Sequence, residues 1–222
     1  MNEYLELSLY LEYKLELLSE SIRVAVTCTS PCSDLPLPSS YMLNTFISEK
    51  RKKEYVSGRW CAHESLKKLS VYAHHIATNS LGGPEWPQRI VGSISHDTDL
   101  CIAIAVRDDV LKSVGIDVHD YLRKDIDWGK IKFLFLTKQE LLLDNSLLYN
   151  KLDIIYSCKE SVIKCLSPIS LQYLDPRKIT INLEFEKNTF QAESAYAQDL
   201  VVHGFYYLTN RFIVTLAYIQ NI

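Results

Sequence analysis

Glu160 and Lys164 stand four residues apart in the run Tyr156-Ser157-Cys158-Lys159-Glu160-Ser161-Val162-Ile163-Lys164. The run reads as helix, so both side chains share one face. A carboxylate and an ammonium so placed are either a stabilising surface ion pair or a base with a cation beside it. Lys159 lies about 100° round the helix from Glu160 and shares that face only in part. In Gly115-Ile116-Asp117-Val118-His119 an acid sits among apolar residues in a strand-like run. A carboxylate there is costly unless it is paired or bound to a cation; the plainer alternative is a turn-forming Asp at a strand end. If Asp117 and Glu160 converge, they form a hard-oxygen site suited to Mg²⁺, whose remaining positions go to water and substrate phosphate.

Further candidates lie earlier in the chain. Gly92-Ser93-Ile94-Ser95-His96-Asp97 places two hydroxyls and an imidazole at the end of a strand, where exposed backbone N–H groups can take a phosphate. A Ser-His turn can equally be structural. His96 and Asp97, with His74 and His75, also fit a metal phosphohydrolase. Against that, adjacent histidines diverge on a helix and no further carboxylate is placed. Lys50, Arg51, Lys52, Lys53, Arg59, Lys67 and Lys68 form a basic cluster, most of it a solvated helix face. Arg59 differs because neighbouring Gly58 lets a ligand or another backbone approach closely.

The elements that must carry these residues follow from period and punctuation. A helix is expected from an N-cap at Ser48 to about Leu69, with Tyr55, Arg59, Leu66 and Leu69 at helical spacing. Leu81-Gly82-Gly83-Pro84-Glu85-Trp86-Pro87 is a loop. Residues 90–95 and 100–107 read as strands joined by the polar turn His96-Asp97-Thr98-Asp99, and 114–118 as a strand with Asp117 near its end. Thr137 and Glu140 form a capping box for a helix over 138–148. A helix over 153–166 is expected to stop before Pro168. Strands are expected over 179–185, 189–192, 204–208 and 212–218.

A faint repeat is visible: a helix around 57–68 precedes a strand pair ending at 100–106, and a helix around 157–164 precedes one ending at 211–218. The expected fold is α+β, with two pseudo-symmetric halves, residues 1–112 and 113–222. Each half is a helix on a small antiparallel sheet, with the active site in the cleft between them.

Composition narrows the class. The chain has 222 residues, 24 Lys+Arg against 27 Asp+Glu, 47% apolar and 23% charged residues, and only 7 Gly and 7 Pro. These values exclude disordered and collagen-like chains. The near-neutral balance argues against a nucleic-acid coat. No stretch reaches roughly 18 uncharged apolar residues, so no membrane span is expected. Met1 to Glu20 is interrupted by Glu3, Glu6, Glu12, Lys14, Glu16 and Glu20 and lacks the form of a signal peptide. A cytoplasmic protein with reduced cysteines is the expectation. Cys28 and Cys32 have a spacing that could hold a metal, but Pro31 lies between them and no second ligand pair follows.

Several motifs together resemble the 4′-phosphopantetheinyl transferase superfamily, in the class of enterobactin synthase component D. They are Gly58-Arg59, Gly83-Pro84-Glu85-Trp86-Pro87, Val91-Gly92-Ser93-Ile94-Ser95-His96, Gly115-Ile116-Asp117-Val118, Phe135-Leu136-Thr137 with Glu140, and Ser157 to Lys164. The resemblance covers about residues 44 to 218. It implies transfer of the phosphopantetheine arm of coenzyme A to a serine of an apo acyl or peptidyl carrier protein, releasing adenosine 3′,5′-bisphosphate. It places Asp117, Glu160 and His119 at the Mg²⁺ site and makes Glu160 and Lys164 catalytic. Arg51, Arg59, Ser95, His96, Asp117, Lys159 and Lys164 are assigned to coenzyme A. The N-terminal half would hold the nucleotide, and the C-terminal half the metal and the carrier. The enzyme would act as a monomer in siderophore or other secondary-metabolite synthesis.

Two departures stand out. His119 occupies the position where most of the class has a second carboxylate. Imidazole is a poor Mg²⁺ ligand, so either water fills that position or the preference shifts toward Mn²⁺. Gly83 stands where the class often has an Arg that grips coenzyme A. His119 keeps open a second function, a non-catalytic coenzyme A or carrier-protein binding module of the same fold. For carrier recognition, the segment Leu122 to Leu152, with Arg123, Lys124, Lys130 and Lys132, offers basic and apolar residues to an acidic helix.

Overall fold

The computed structural model describes residues 3–18, 24–32, 34–37, 48–142 and 151–221. The architecture is α+β with two antiparallel sheets. The chain divides into two compact units, Met1–Lys112 with Gln220–Ile222, and Ser113–Ile219.

The first unit holds α1 (Glu3–Glu16), β1 (Val24–Thr29), α2 (Glu49–Lys68), β2 (Ile90–Asp97) and β3 (Leu100–Arg107), with sheet order β1-β3-β2. Ser48 caps α2 by accepting the Arg51 amide, which satisfies one of the four amides a helix leaves orphaned at its start. Cys61, Ala62 and Leu66 from α2 meet Ala25, Cys101, Ala103 and Ala105 of the sheet to form the core. Small residues at these positions let the helix lie close. Gly58 extends this contact, since a Cβ there would come within 2.9 Å of the Ile94 side chain. The β2–β3 turn is tighter than its sequence implies: Asp97 pairs with Leu100, leaving only Thr98 (φ +43°) and Asp99 outside the ladder. His96 therefore stays in the strand, opposite Cys101.

The second unit contains most of β4 (Leu111–Asp120), then α3 (Trp128–Ile131), α4 (Lys138–Leu142), α5 (Lys151–Ser170), β5 (Ile179–Glu184), β6 (Thr189–Ser194), β7 (Val202–Leu208) and β8 (Phe212–Gln220). Its sheet runs β4-β8-β7-β6-β5. The capping box forms as expected: Thr137 Oγ1 accepts the Glu140 amide at 3.1 Å, and Glu140 Oε2 accepts the Thr137 amide at 2.7 Å. Beyond Leu142, the rest of the expected 138–148 helix lies outside the described residues.

Pro168 does not stop α5, which continues to Ser170. Its missing N–H and its ring fall on the Lys164 carbonyl, and the helix runs only two residues beyond it. There Ser167 and Ser170 hydroxyls bond to the Ile163 and Leu166 carbonyls, and the helix ends at Leu171 with φ +51°. Among the described residues, no helix is long and apolar enough to cross a membrane.

Gly115 sets the distance between β4 and α5. A Cβ at that position would lie 2.0 Å from the Ser161 carbonyl oxygen and 2.5 Å from the Cys165 nitrogen. Both are helix backbone atoms and cannot rotate away. Gly115→Ala is therefore expected to destabilise by about 3 kcal/mol, a fall of roughly 6–12 °C in melting temperature. A variant melting with the parent would show that β4 does not pack this closely on α5.

Candidate active site

Asp117 leaves β4 on the face that meets α5 and is nearly inaccessible to solvent, at 6%. Its two oxygens are separately engaged: Oδ1 with Lys164 Nζ and Oδ2 with the Ser157 hydroxyl, both at 2.8 Å. Ser157, Glu160 and Lys164 recur at three- and four-residue spacing and present one side of α5. Burial, and after it the charge of Asp117, raises the Glu160 pKa above the ordinary carboxylate range; Lys164 pulls it back. Asp117, Glu160 and Lys164 therefore form one electrostatic group, with a carboxylate that gains from a nearby cation.

The first unit gathers cations. Arg59, on α2, is buried and turned to the 77–78 loop, donating to Thr78 Oγ1 at 2.8 Å and lying 5.1 Å from the Tyr55 ring centroid. Its Nε is buried with no hydrogen-bond partner, and among the described residues no carboxylate reaches ion-pair distance. Arg51, one turn into α2, donates to His96 Nε2 at 3.2 Å. Ser95 is buried beside it in β2. Gly92 lets Trp86 of the 81–87 loop lie on β2, since a Cβ there would come within 2.5 Å of the indole.

Two expected site residues are placed differently. Lys159 has no exposed surface; its ammonium meets Glu140 Oε2 at 2.7 Å and donates to the carbonyls of Pro176 and Ile179. That is an interior tie between α5, α4 and the start of β5. His119 keeps the face of Asp117 but turns Nε2 to Asp153 Oδ1 at 2.8 Å, which also accepts the Trp128 indole N–H at 3.1 Å. Its ring packs edge-on against Trp128 and Tyr156. Nε2 is thus engaged by Asp153 on α5. Among the described residues, no three His, Cys, Asp or Glu side chains gather as a metal cage.

Ser157 was missed from the sequence, although its place three residues before Glu160 put it on the same face. Glu54, three residues after Arg51, was also missed.

Comparison with known proteins bears on both sets. Residues 45–106 match the family model for the 4′-phosphopantetheinyl transferase N-terminal domain. The 4′-phosphopantetheinyl transferase PptT of Mycobacterium tuberculosis is 34% identical over 105 residues, 46% of each chain. These matches make the chain similar to the 4′-phosphopantetheinyl transferase superfamily. Within it, the transferase Npt of Nocardia iowensis is 24% identical over 70% of either chain. Enterobactin synthase component D of Salmonella austin is 29% identical over 59% of this chain and 55% of the relative. The mycobacterial match thus spans about half the length of that relative. The matched domain carries Arg51, Arg59, Ser95 and His96, whereas the acidic set lies beyond it.

Proposed function

We propose that this chain moves the 4′-phosphopantetheine arm of coenzyme A onto a serine hydroxyl of an apo carrier protein, releasing adenosine 3′,5′-bisphosphate. The observation that carries the reading is the acid pair of the second unit: Asp117 tied to Ser157 and Lys164, and Glu160 with its pKa raised by burial and by Asp117. A carboxylate so raised is a better proton acceptor than an ordinary surface acid. Glu160 takes the proton of the attacking serine as its oxygen bonds to the pantetheine-side phosphorus. The diphosphate P–O bond then breaks, and the nucleotide phosphate leaves with the electron pair. Lys164, partly exposed beside Asp117, donates to the phosphate oxygens.

The donor set fits a divalent cation. Asp117, Glu160 and the Ser157 hydroxyl are hard oxygen donors of the kind Mg²⁺ takes, and Mn²⁺ accepts the same set. When bound, such an ion supplies charge neutralisation at the diphosphate and the leaving group. The first unit supports the substrate. Arg59, buried with its Nε unpartnered and without a carboxylate counter-ion among the described residues, is costly unless an anion accompanies it, and coenzyme A brings both a diphosphate and a 3′-phosphate. Free rather than bridged cysteines accord with a reducing, cytoplasmic setting. For the carrier, exposed Leu122, Phe133 and Leu134 beside Lys124, Lys130 and Lys132 offer apolar and basic contacts to an acidic helix of a siderophore or other secondary-metabolite carrier. The proposed catalytic form is a monomer.

A panel of apo carrier proteins incubated with the chain, coenzyme A and Mg²⁺ is expected to gain one phosphopantetheine each on the carriers it serves, read by intact mass. No gain with any carrier under Mg²⁺ or Mn²⁺ would remove the transferase reading. If calorimetry still showed coenzyme A binding, the alternative of a non-catalytic binding module would stand, favoured by the engagement of His119 with Asp153.

A further inference from the structure

Three side chains at the N-terminal end of α2 and the end of β2 fix one another's chemistry. Arg51 Nη1 lies 3.2 Å from His96 Nε2. A guanidinium nitrogen can only donate, so Nε2 must be the bare, accepting nitrogen, and in the neutral ring the proton sits on Nδ1. That nitrogen faces Glu54 Oε2 at 3.8 Å, beyond hydrogen-bond range but close enough for charge to act. The same Glu54 oxygen lies 3.5 Å from Arg51 Nη1, and Lys50 reaches Oε1 at 3.9 Å. Glu54 is the least exposed of the ion-paired set, with 15% of its side chain accessible against 60% for Arg51 and 29% for His96.

We propose that Glu54 is a positioning residue. It keeps the His96 proton on Nδ1, so that Nε2 holds the Arg51 guanidinium and leaves that side chain's other N–H groups aimed at an anionic ligand, a phosphate of the nucleotide end of coenzyme A. The proposal rests on the reading of Arg51 and His96 as part of the coenzyme A site. Phosphate affinity here depends on an order Glu54, His96, Arg51, in which the carboxylate is unfavourable to the anion by charge and favourable by restraint. The two contributions have opposite signs, so one substitution separates them. Removing the negative charge from a site without restraint strengthens anion binding; removing the restraint on a long, exposed guanidinium weakens it.

The test uses Glu54→Gln in the full chain, with adenosine 3′,5′-bisphosphate as the probe in metal-free buffer and calorimetry as the readout. The expected result is binding about fivefold weaker than the parent, with no such loss when Glu54→Gln is added to Arg51→Ala. The ¹⁵N spectrum of the His96 ring is expected to change from one Nδ1-protonated form to a mixture. Unchanged or tighter binding together with an unaltered ring spectrum would overturn the proposal. If Arg51→Ala alone left the probe's affinity intact, the coenzyme A reading of this set would fail, while the imidazole spectrum would still decide whether Glu54 sets the tautomer.

Discussion

Glu160→Gln is expected to reduce carrier modification by at least about 100-fold while raising the stability of the metal-free protein at neutral pH. Both effects follow from the same environment. Burial, and after it Asp117, raises the Glu160 pKa in the folded chain, whereas in the unfolded chain the group titrates in the ordinary range. The folded state then holds the Glu160 proton more tightly than the unfolded state does. The stabilising contribution is full below the unfolded pKa and is lost as pH rises through the folded one, above which the ionised side chain opposes folding. Gln has no such ionisation, so the variant's gain should grow over that interval and vanish in acid.

Divalent cation adds a third reading. Mg²⁺ should raise the melting temperature of the parent more than that of Glu160→Gln, because a ligand stabilises the state that binds it. Thermal melts across pH, with and without Mg²⁺, check the stability effects, and intact mass of the carrier checks activity. An active variant with no pH-dependent gain would mean that Glu160 is an ordinary helix-face acid.

Local chemistry was the legible part of this chain. The Ser48 cap and the Thr137–Glu140 box each bind backbone amides within one turn, and such signals need no knowledge of distant residues. The β3 strand matched its apolar run for the same reason. Long-range partnership was not legible. Helical spacing put Glu160 and Lys164 on one face, but the Lys164 ammonium meets Asp117, 47 positions away. The family likeness brought Asp117 and Glu160 together; periodicity alone left Asp117 open to a turn role.

The helix α1 went unread because Glu6, Glu12 and Glu16 break up the chain while Leu7, Leu11 and Leu15 keep a buried four-residue stripe. Pro168 misled because the rule against proline applies to helix interiors, and here it falls in the last turn. His119 could be recognised as a poor magnesium ligand from its type, but its partner Asp153 lies on another element.

The same distinction decides Lys159. Family likeness offers it to coenzyme A, whereas the fold surrounds it with protein oxygens: Glu140 Oε2 at 2.7 Å, the Pro176 carbonyl at 3.0 Å, and the Ile179 carbonyl. Burial draws its pKa down and Glu140 pushes it back up. Glu140 in turn accepts the Thr137 amide on Oε2 and the Ile181 amide on Oε1, so one ion pair ties the start of α4 to α5 and β5. Lys159→Met leaves Glu140 buried without its cation and two carbonyls without their donor. Its expected effect is a loss of about 3–5 kcal/mol, or roughly 6–20 °C in melting temperature.

Adding Glu140→Gln to Lys159→Met should recover part of that loss, because the amide keeps the backbone bonds without an unpaired charge. Where the Lys159→Met protein remains folded, its KM for coenzyme A should match the parent. A contact with the cofactor would give the opposite pattern, an unchanged melt with a raised KM, and that result would return Lys159 to the substrate site.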